Sequence, residues 1–147
     1  DILRRLDYTV CSVHSKFNLS EKKQTDRICR AMAGKYFTIL GHPTGRLLTE
    51  RGPYAVSMER IIDAARKNSC VLEVNAHPQR LDLNDVYCKA AGEREVKMVV
   101  STDAHSIDNL DNMRFGIGQA RRGWLETNDV INTWPLKKIT AFFGSKK

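Results

Sequence analysis

Four polar side chains, three of them with metal-ligand chemistry, recur at nearly regular intervals along the chain. His14, His42, Asn75 and Asp103 are separated by 28, 33 and 28 residues, and His105 follows Asp103 with one residue between them. Imidazole nitrogens and carboxylate oxygens are ligands that Zn²⁺, Mn²⁺ and Fe²⁺ take in proteins. Two or more such ions can hold a phosphate and lower the pKa of a bound water. The residue types therefore indicate a hydrolytic metal centre, provided that the fold brings them together.

Each of these four positions comes at the end of an apolar segment with the composition of a strand. The predicted strands span residues 8–13, 36–40, 70–74 and 96–100. Amphipathic segments predict helices from Ser20 to Gly34, from Ser57 past Ala65, from Asp82 to Ala91, and within residues 110–119 and 135–143. This alternation predicts βα units and a parallel sheet. Because the carboxyl ends of parallel strands face the same side, the four polar residues are expected to converge on one rim.

The candidate metal ligands, and the candidate catalytic residues, are His14, His42, Asp103 and His105. A single histidine after a strand is more often a hydrogen-bonded loop residue than a ligand. Three of the four histidines of this chain at successive strand ends, together with an Asp-x-His sequence, favour the ligand interpretation. Each ligating imidazole then needs a partner for its second ring nitrogen.

Two residues that flank Asn75 are ambiguous. His77 follows Asn75 by two residues and can face towards the rim or away from it. Glu73 precedes Asn75 by two residues, so its side chain leaves the same face of the strand at a deeper level. A buried acid paired with a basic residue is the favoured interpretation of Glu73.

Arginines in the predicted loops are candidates for binding a substrate phosphate, because a guanidinium group matches two phosphate oxygens. Arg46 lies four residues after His42, and Arg80 lies in the segment after the third strand. Arg121 and Arg122 are weaker candidates. The alternative for all of these arginines is surface charge or a cation at a helix carboxyl end.

The composition is that of a globular domain with a basic surface. The chain has 147 residues, a formal net charge of +7 and a pI near 9.4. This length fits one domain, and the charge favours a polyanionic partner, nucleic acid first. The alternative is a solvated surface, since the excess charge is dispersed. No apolar run approaches the roughly 20 residues of a membrane span. The first residues do not resemble a signal peptide, so a cytoplasmic protein with reduced cysteines is expected.

The motifs around these residues resemble one family along nearly the whole chain. They are CSVHSKFNLSE, ILGHPTGRLL, LEVNAHPQRLDLND, STDAHSIDNLDNMRFGIGQARRGW and VINTWPL. Together they resemble the C-terminal PHP (polymerase and histidinol phosphatase) domain of bacterial family X DNA polymerases. The GHPTGRLL and RFGIGQARRGW motifs are more specific to the polymerase-linked branch than GHP or TDAH alone.

The resemblance implies a fold, a reaction and roles for individual residues. It implies an α/β fold whose parallel βα units form about half of a distorted seven-stranded TIM-like barrel. It implies Mn²⁺- or Zn²⁺-dependent phosphoesterase activity on DNA, as a 3′–5′ exonuclease or in DNA end processing linked to repair, with up to three ions in the complete site. By motif, His14 and His42 match a pair that holds one metal, Asp103 a ligand of the second and His105 a ligand of the third. Arg46 and Arg80 match loop positions near the site, and nothing carries over to His77.

The chain lacks the N-terminal motifs of the family pattern. The family domain begins with a His-x-His strand, a further Asp-and-His segment and a metal-bridging Glu, and none of these is found before Asp1. We therefore expect residues 1–147 to be the last four βα units and the C-terminal helices of one PHP-type domain. The upstream PHP segments and the polymerase are expected to be missing, so the isolated chain should be weakly active or inactive.

Three explanations fit the missing segments, and the favoured one is that the chain is a fragment of a longer polymerase. A natural truncation is the second. The third is a homodimer through exposed sheet edges, because a half-barrel leaves open edges and an uncovered inner face. Two other functions stay open: a non-catalytic basic module that binds nucleic acid or serves a structural role, and a small-molecule phosphatase of the PHP superfamily.

Overall fold

The computed structural model describes residues 2–144 and contains a parallel sheet whose strand order follows the chain order. The strands are β1 (Val10–Cys11), β2 (Ile39–Leu40), β3 (Val71–Asn75) and β4 (Met98–Ser101). Each strand pairs in parallel with the next one along the chain. Because all the strands point the same way, their carboxyl ends form one rim, as the sequence predicts.

Helices connect the strands and follow the last one. They are α1 (Glu21–Met32), α2 (Met58–Lys67), α3 (Asp85–Glu93), α4 (Met113–Arg122) and α5 (Leu136–Gly144), with short 3-10 helices at Ile2–Arg5, Asp108–Asn112 and Ile131–Thr133. The predicted α/β class, with parallel βα units, is confirmed. No helix within residues 2–144 combines the length and the apolar character that crossing a bilayer requires.

Helix α2 illustrates how the sequence pattern positions an element. Ser57 caps the helix as predicted, with its side chain accepting a hydrogen bond from the backbone N–H of Arg60 at 3.4 Å. Apolar residues at helical spacing form one stripe that packs on the sheet. The buried members of this stripe are Met58, Ile61, Ile62 and Ala65.

Both faces of the sheet are covered. On one face, Leu40, Leu72 and Met98 belong to a core that includes buried residues of α1 to α4. On the other face, a second core contains Ile39, Val71, Ile131 and Phe143, of which Phe143 belongs to α5. The expected uncovered inner face is therefore wrong in part, because the C-terminal helix folds back over it. The apolar residues of α5 supply the physical reason.

The first two strands are shorter than the predicted segments 8–13 and 36–40. Threonine side chains add hydrogen bonds between the two strands at their start. The backbone N–H of Thr9 donates to Thr38 Oγ1 at 2.5 Å, and Thr38 Oγ1 donates to the carbonyl of Thr9 at 2.6 Å. The Thr9 hydroxyl in turn donates to the carbonyl of Tyr36. Regular pairing therefore begins only at Val10–Cys11 and Ile39–Leu40.

The predicted start of the third helix at Asp82 is also wrong. Helix α3 begins at Asp85, because Asn84 caps it by accepting a hydrogen bond from the N–H of Tyr87 at 2.9 Å. Asp82 lies before the cap and is fully buried. Ser20 precedes α1 as predicted, but its side chain makes no capping hydrogen bond.

Candidate functional site

The first two predicted ligands lie side by side at the rim. The rings of His14 and His42 are 5.2 Å apart between centroids and meet edge to face. His14 is exposed, and its Nε2 lies 2.7 Å from the Ser12 hydroxyl. His42 is 9% exposed. The two strand ends that deliver them, those of β1 and β2, are neighbours in the sheet.

The environment of His42 keeps its ring neutral. Its backbone has φ of 28°, in the left-handed region, and its N–H donates to Glu73 Oε2 at 2.5 Å. Burial lowers the pKa of the His42 imidazole, and the positive charge of Arg80 lowers it further. The ring nitrogen Nδ1 is buried and has no hydrogen-bond partner among residues 2–144. A neutral ring with an unpartnered nitrogen is suited to ligate a metal ion.

Glu73 connects three strand ends. Its carboxylate accepts hydrogen bonds from the N–H of His42 after β2, from the Asn75 side-chain amide at 3.3 Å on β3, and from the hydroxyl of Ser101 on β4. Within the described residues its hydrogen-bond donors are thus uncharged, and the expected pairing with a basic residue is wrong. Three donors supply the stabilisation that a basic partner would otherwise give.

Sequence reasoning underestimated Glu73 and missed Ser101. Glu73 and Asn75 share a strand face, which was a usable signal. Ser101 is the register partner of Asn75, and a register between strands is a property of the folded sheet that no single segment reveals.

Asp103 has a restricted backbone conformation and a side chain that is bound by Arg80. Its backbone has φ of 52°, and its Oδ2 accepts a hydrogen bond from Arg80 Nε at 3.1 Å. Burial raises the pKa of the Asp103 carboxyl, but hydrogen bonding from Asn75 and the charge of Arg80 outweigh it, so that the pKa lies below its usual value. Asp103 is therefore ionised at neutral pH and able to bind a cation.

His105 belongs to the same turn as Asp103 but is exposed. Its Nδ1 lies 2.8 Å from the carbonyl oxygen of Asp103, and its N–H donates to Asn109 Oδ1 at 3.1 Å. This arrangement leaves Nε2 as the ring atom available to a ligand. His77 is turned towards its own loop, where its Nδ1 accepts a hydrogen bond from the N–H of Gln79 at 3.3 Å.

The two candidate phosphate-binding arginines are connected to each other. Arg46 Nε donates to the carbonyl of Arg80 at 2.8 Å, and a second nitrogen of Arg46 donates to the carbonyl of Leu81. Arg46 thereby supports the loop that carries Arg80, and Arg80 reaches Asp103. Of the weaker candidates, Arg122 pairs with Asp85 at 3.0 Å on the side of α3.

The donor chemistry suits divalent transition ions, but the number of ligands is small. His14 and His42 form one pair of donors, and Asp103 and His105 form another in a single turn. Within residues 2–144, no group of three or more His, Cys, Asp or Glu side chains is placed to hold a metal ion. The described residues thus fit part of a metal centre and do not complete one.

One curated relative connects this chain to DNA polymerases. The chain is 42% identical over 142 residues, which is 97% of its length, to a protein of Bacillus subtilis (strain 168) named DNA polymerase/3′-5′ exonuclease PolX. The chain spans about a quarter of the length of that relative, since the alignment covers 25% of it. No family model matches the sequence. The similarity supports a domain related to a part of that polymerase.

Proposed function

We propose that this chain is part of a PHP-type phosphoesterase domain that acts on the 3′ ends of DNA, in 3′–5′ exonuclease or end-processing reactions linked to a repair polymerase. The observation that carries the proposal is the rim, where four successive parallel strand ends bear His14, His42, Asn75 and Asp103. The similarity along 97% of the chain to a polymerase with a 3′–5′ exonuclease supports it. The parallel βα units are consistent with about half of a TIM-like barrel.

The proposed cofactor is Mn²⁺ or Zn²⁺. His14 and His42 would hold one ion, and Asp103 and His105 would contribute to others. Bound ions would supply Lewis-acid chemistry to a phosphodiester. Because the described residues do not complete a three-ligand group, the isolated chain is expected to be weakly active or inactive.

Four side chains at or beneath the rim each have a defined role in this proposal. Glu73 orients His42 through the backbone N–H, and burial keeps the His42 ring neutral. Arg80 offers its terminal nitrogens, which have no hydrogen-bond partner within the described residues, to a phosphate while its Nε stays on Asp103. Arg46 holds the backbone that carries Arg80. The net charge of +7 favours DNA as the partner.

A second function, a non-catalytic module that binds DNA through its basic surface, is favoured by one observation. The described residues lack a group of three metal ligands, which a binding module does not need. A homodimer through β1 stays part of the proposal, because β1 has one sheet neighbour within residues 2–144 and Val10 is 56% exposed. A cytoplasmic location is likewise proposed.

The experiment is hydrolysis of a single-stranded oligonucleotide labelled near its 3′ end, with Mn²⁺ or with EDTA. The proposal predicts slow, Mn²⁺-dependent shortening that falls by about tenfold or more in Asp103→Ala, as loss of a charged ligand requires. His77→Gln is the matched control and should retain activity. Activity that survives Asp103→Ala contradicts the proposal. DNA binding without hydrolysis and without any binding of Mn²⁺ supports the second function.

A further inference from the structure

Two loops at the rim are joined along their length by hydrogen bonds. We call residues 42–48, after β2, the first rim loop and residues 77–82, after β3, the second rim loop. The N–H of Leu48 donates to the carbonyl of Gln79 at 2.6 Å, and Arg46 donates to the carbonyls of Arg80 and Leu81. The first rim loop begins with His42, and the second carries Arg80.

Asp82 makes the deepest connection between these loops. Its Oδ2 accepts hydrogen bonds from the N–H of Thr44 at 2.9 Å and from the N–H of Gly45 at 3.0 Å. Its backbone carbonyl accepts a further hydrogen bond from the N–H of Asn75 at 2.6 Å. Asp82 is therefore bonded at once to the first rim loop and to the end of β3.

The turn that Asp82 binds has a restricted conformation. Gly45 has φ of 63°, and a Cβ atom at this position would lie 2.4 Å from the ring of Tyr54. The N–H of Gly45 is shared between the carbonyl of His42 and Oδ2 of Asp82. The Thr44 N–H has Asp82 as its acceptor. Without this carboxylate, a buried N–H group of the turn loses its partner.

The carboxylate is also costly to bury, which argues against an incidental role. Asp82 is 0% exposed, and its Oδ1 has no hydrogen-bond partner among the described residues. Burying a charge that is only partly satisfied is unfavourable for folding. An apolar side chain would pack in such a place at lower cost, but it could not accept the two N–H groups of the turn.

We propose that Asp82 is a positioning residue of the candidate centre, which joins the two rim loops so that the His42 ring and Arg80 are presented together at the rim. The proposal rests on the proposed function for the use of those two side chains. Asp82 acts through Thr44 and Gly45 and does not itself reach the rim histidines. The joining of the loops can be measured without metal or DNA, so its failure is distinguishable from failure of the proposed function.

The test compares Asp82→Ala, which removes the acceptor, with Asp82→Asn, which keeps an acceptor oxygen at the same reach. Asp85→Ala is the matched control, because Asp85 lies three residues away and pairs with Arg122 outside the loops. The first readout is amide hydrogen exchange of Thr44 and Gly45. The second is the nuclear Overhauser contact between the His14 and His42 rings. Urea unfolding of each variant measures global stability.

We expect the amides of Thr44 and Gly45 to exchange about tenfold faster in Asp82→Ala, because the variant loses the energy of about one hydrogen bond. We also expect a weaker contact between the His14 and His42 rings in this variant. Asp82→Asn should restore both readouts, and Asp85→Ala should leave both unchanged. A purely structural role predicts lower global stability with the ring contact kept, and that result overturns the proposal. If Asp82→Ala does not fold, amide exchange in the unaltered chain tests the proposal. Exchange of Thr44 and Gly45 as fast as that of the exposed turn at residues 104–108 overturns the proposal. Exchange of these two amides as slow as that of the β3 amides supports it.

Discussion

The guanidinium group of Arg80 donates from Nε to Oδ2 of Asp103 at 3.1 Å, so a candidate phosphate-binding residue contacts a candidate metal ligand. The two side chains are only 21% and 28% exposed, which limits screening by water. Arg80 therefore balances the charge of Asp103 in the chain as it stands.

Arg80→Gln should weaken the fold at neutral pH and raise the pKa of Asp103. We expect a loss of about 1.5 kcal/mol in the free energy of unfolding, typical of a charge-assisted hydrogen bond. Because the pKa of Asp103 is lowered in the folded state, this stabilisation is present above the unfolded pKa and is lost as the pH falls through the folded pKa. Urea unfolding at pH 7 and pH 3 measures the difference, which should shrink at pH 3.

Arg121→Gln is the control for Arg80→Gln. Arg121 is exposed at the end of α4 and makes no ion pair within the described residues. Its substitution should change the free energy of unfolding by less than about 0.5 kcal/mol. Equal losses for the two variants would contradict a specific role of the Arg80–Asp103 pair.

Glu73→Ala should be more damaging than Glu73→Gln. Alanine leaves the N–H of His42, the amide of Asn75 and the hydroxyl of Ser101 without their acceptor, at an expected loss of about 3 kcal/mol. Glutamine keeps one acceptor oxygen, so the expected loss is about 1 kcal/mol. Urea unfolding at pH 7 tests both values, and equal effects of the two variants would contradict the role of the carboxylate as a shared acceptor.

Asp82 should make stability depend on pH. Burial raises its pKa to about 6, against the opposing effects of the hydrogen bonds from Thr44 and Gly45 and of the charge of Arg46. A raised folded pKa means that the folded state binds the proton more tightly, so stability increases as the pH falls through about 6. When the pH is lowered from 7 to 5, the free energy of unfolding of the unaltered chain should increase by about 1 kcal/mol relative to that of Asp82→Asn.

The other groups that face Asp82 do not change charge in this pH range. Burial raises the pKa of Tyr54 far above neutrality and the pKa of Cys88 to about 12. Urea unfolding at pH 5, 6 and 7 measures the effect. A pH dependence that is the same in Asp82→Asn and in the unaltered chain would show that another group carries it.

The stability of the sheet that positions the rim should depend strongly on the buried side chains of its strands. Leu72 on β3 is fully buried, so Leu72→Ala should reduce the free energy of unfolding by about 3 kcal/mol. Leu136→Ala removes the same atoms from a side chain that is 76% exposed and should cost less than about 1 kcal/mol. Thermal and urea unfolding check the pair, and similar losses would place Leu72 outside the core.

The order of elements and the convergence at the rim could be predicted because both follow from local patterns. Apolar segments followed by His14, His42, Asn75 and Asp103 at regular spacing indicate parallel βα units, and the structure contains those units. The strand limits could not be predicted, because the side chain of Thr38 bonds to the backbone of Thr9 where β1 and β2 begin. Such pairs are formed across 29 residues of sequence and leave no local signal.

The network beneath the rim depends on contacts between loops. Glu73 and Asp82 are buried acids that each accept hydrogen bonds from backbone N–H groups of the first rim loop, and nothing in their own segments identifies these donors. The pairing of Arg80 with Asp103 likewise depends on how two loops meet. The assignment of His14, His42, Asp103 and His105 as metal ligands stays a prediction.

The rim residues His14, His42, Asp103 and His105 are expected to bind a divalent metal ion. The most direct test is a Mn²⁺ titration followed by the electron paramagnetic resonance signal of free Mn²⁺, on the unaltered chain, His42→Gln, Asp103→Asn and His77→Gln. We predict that the unaltered chain and His77→Gln remove Mn²⁺ from solution, and that His42→Gln and Asp103→Asn bind it about tenfold more weakly or not at all. No Mn²⁺ bound by the unaltered chain, or equal binding by all four proteins, would show that these rim residues are not the metal ligands.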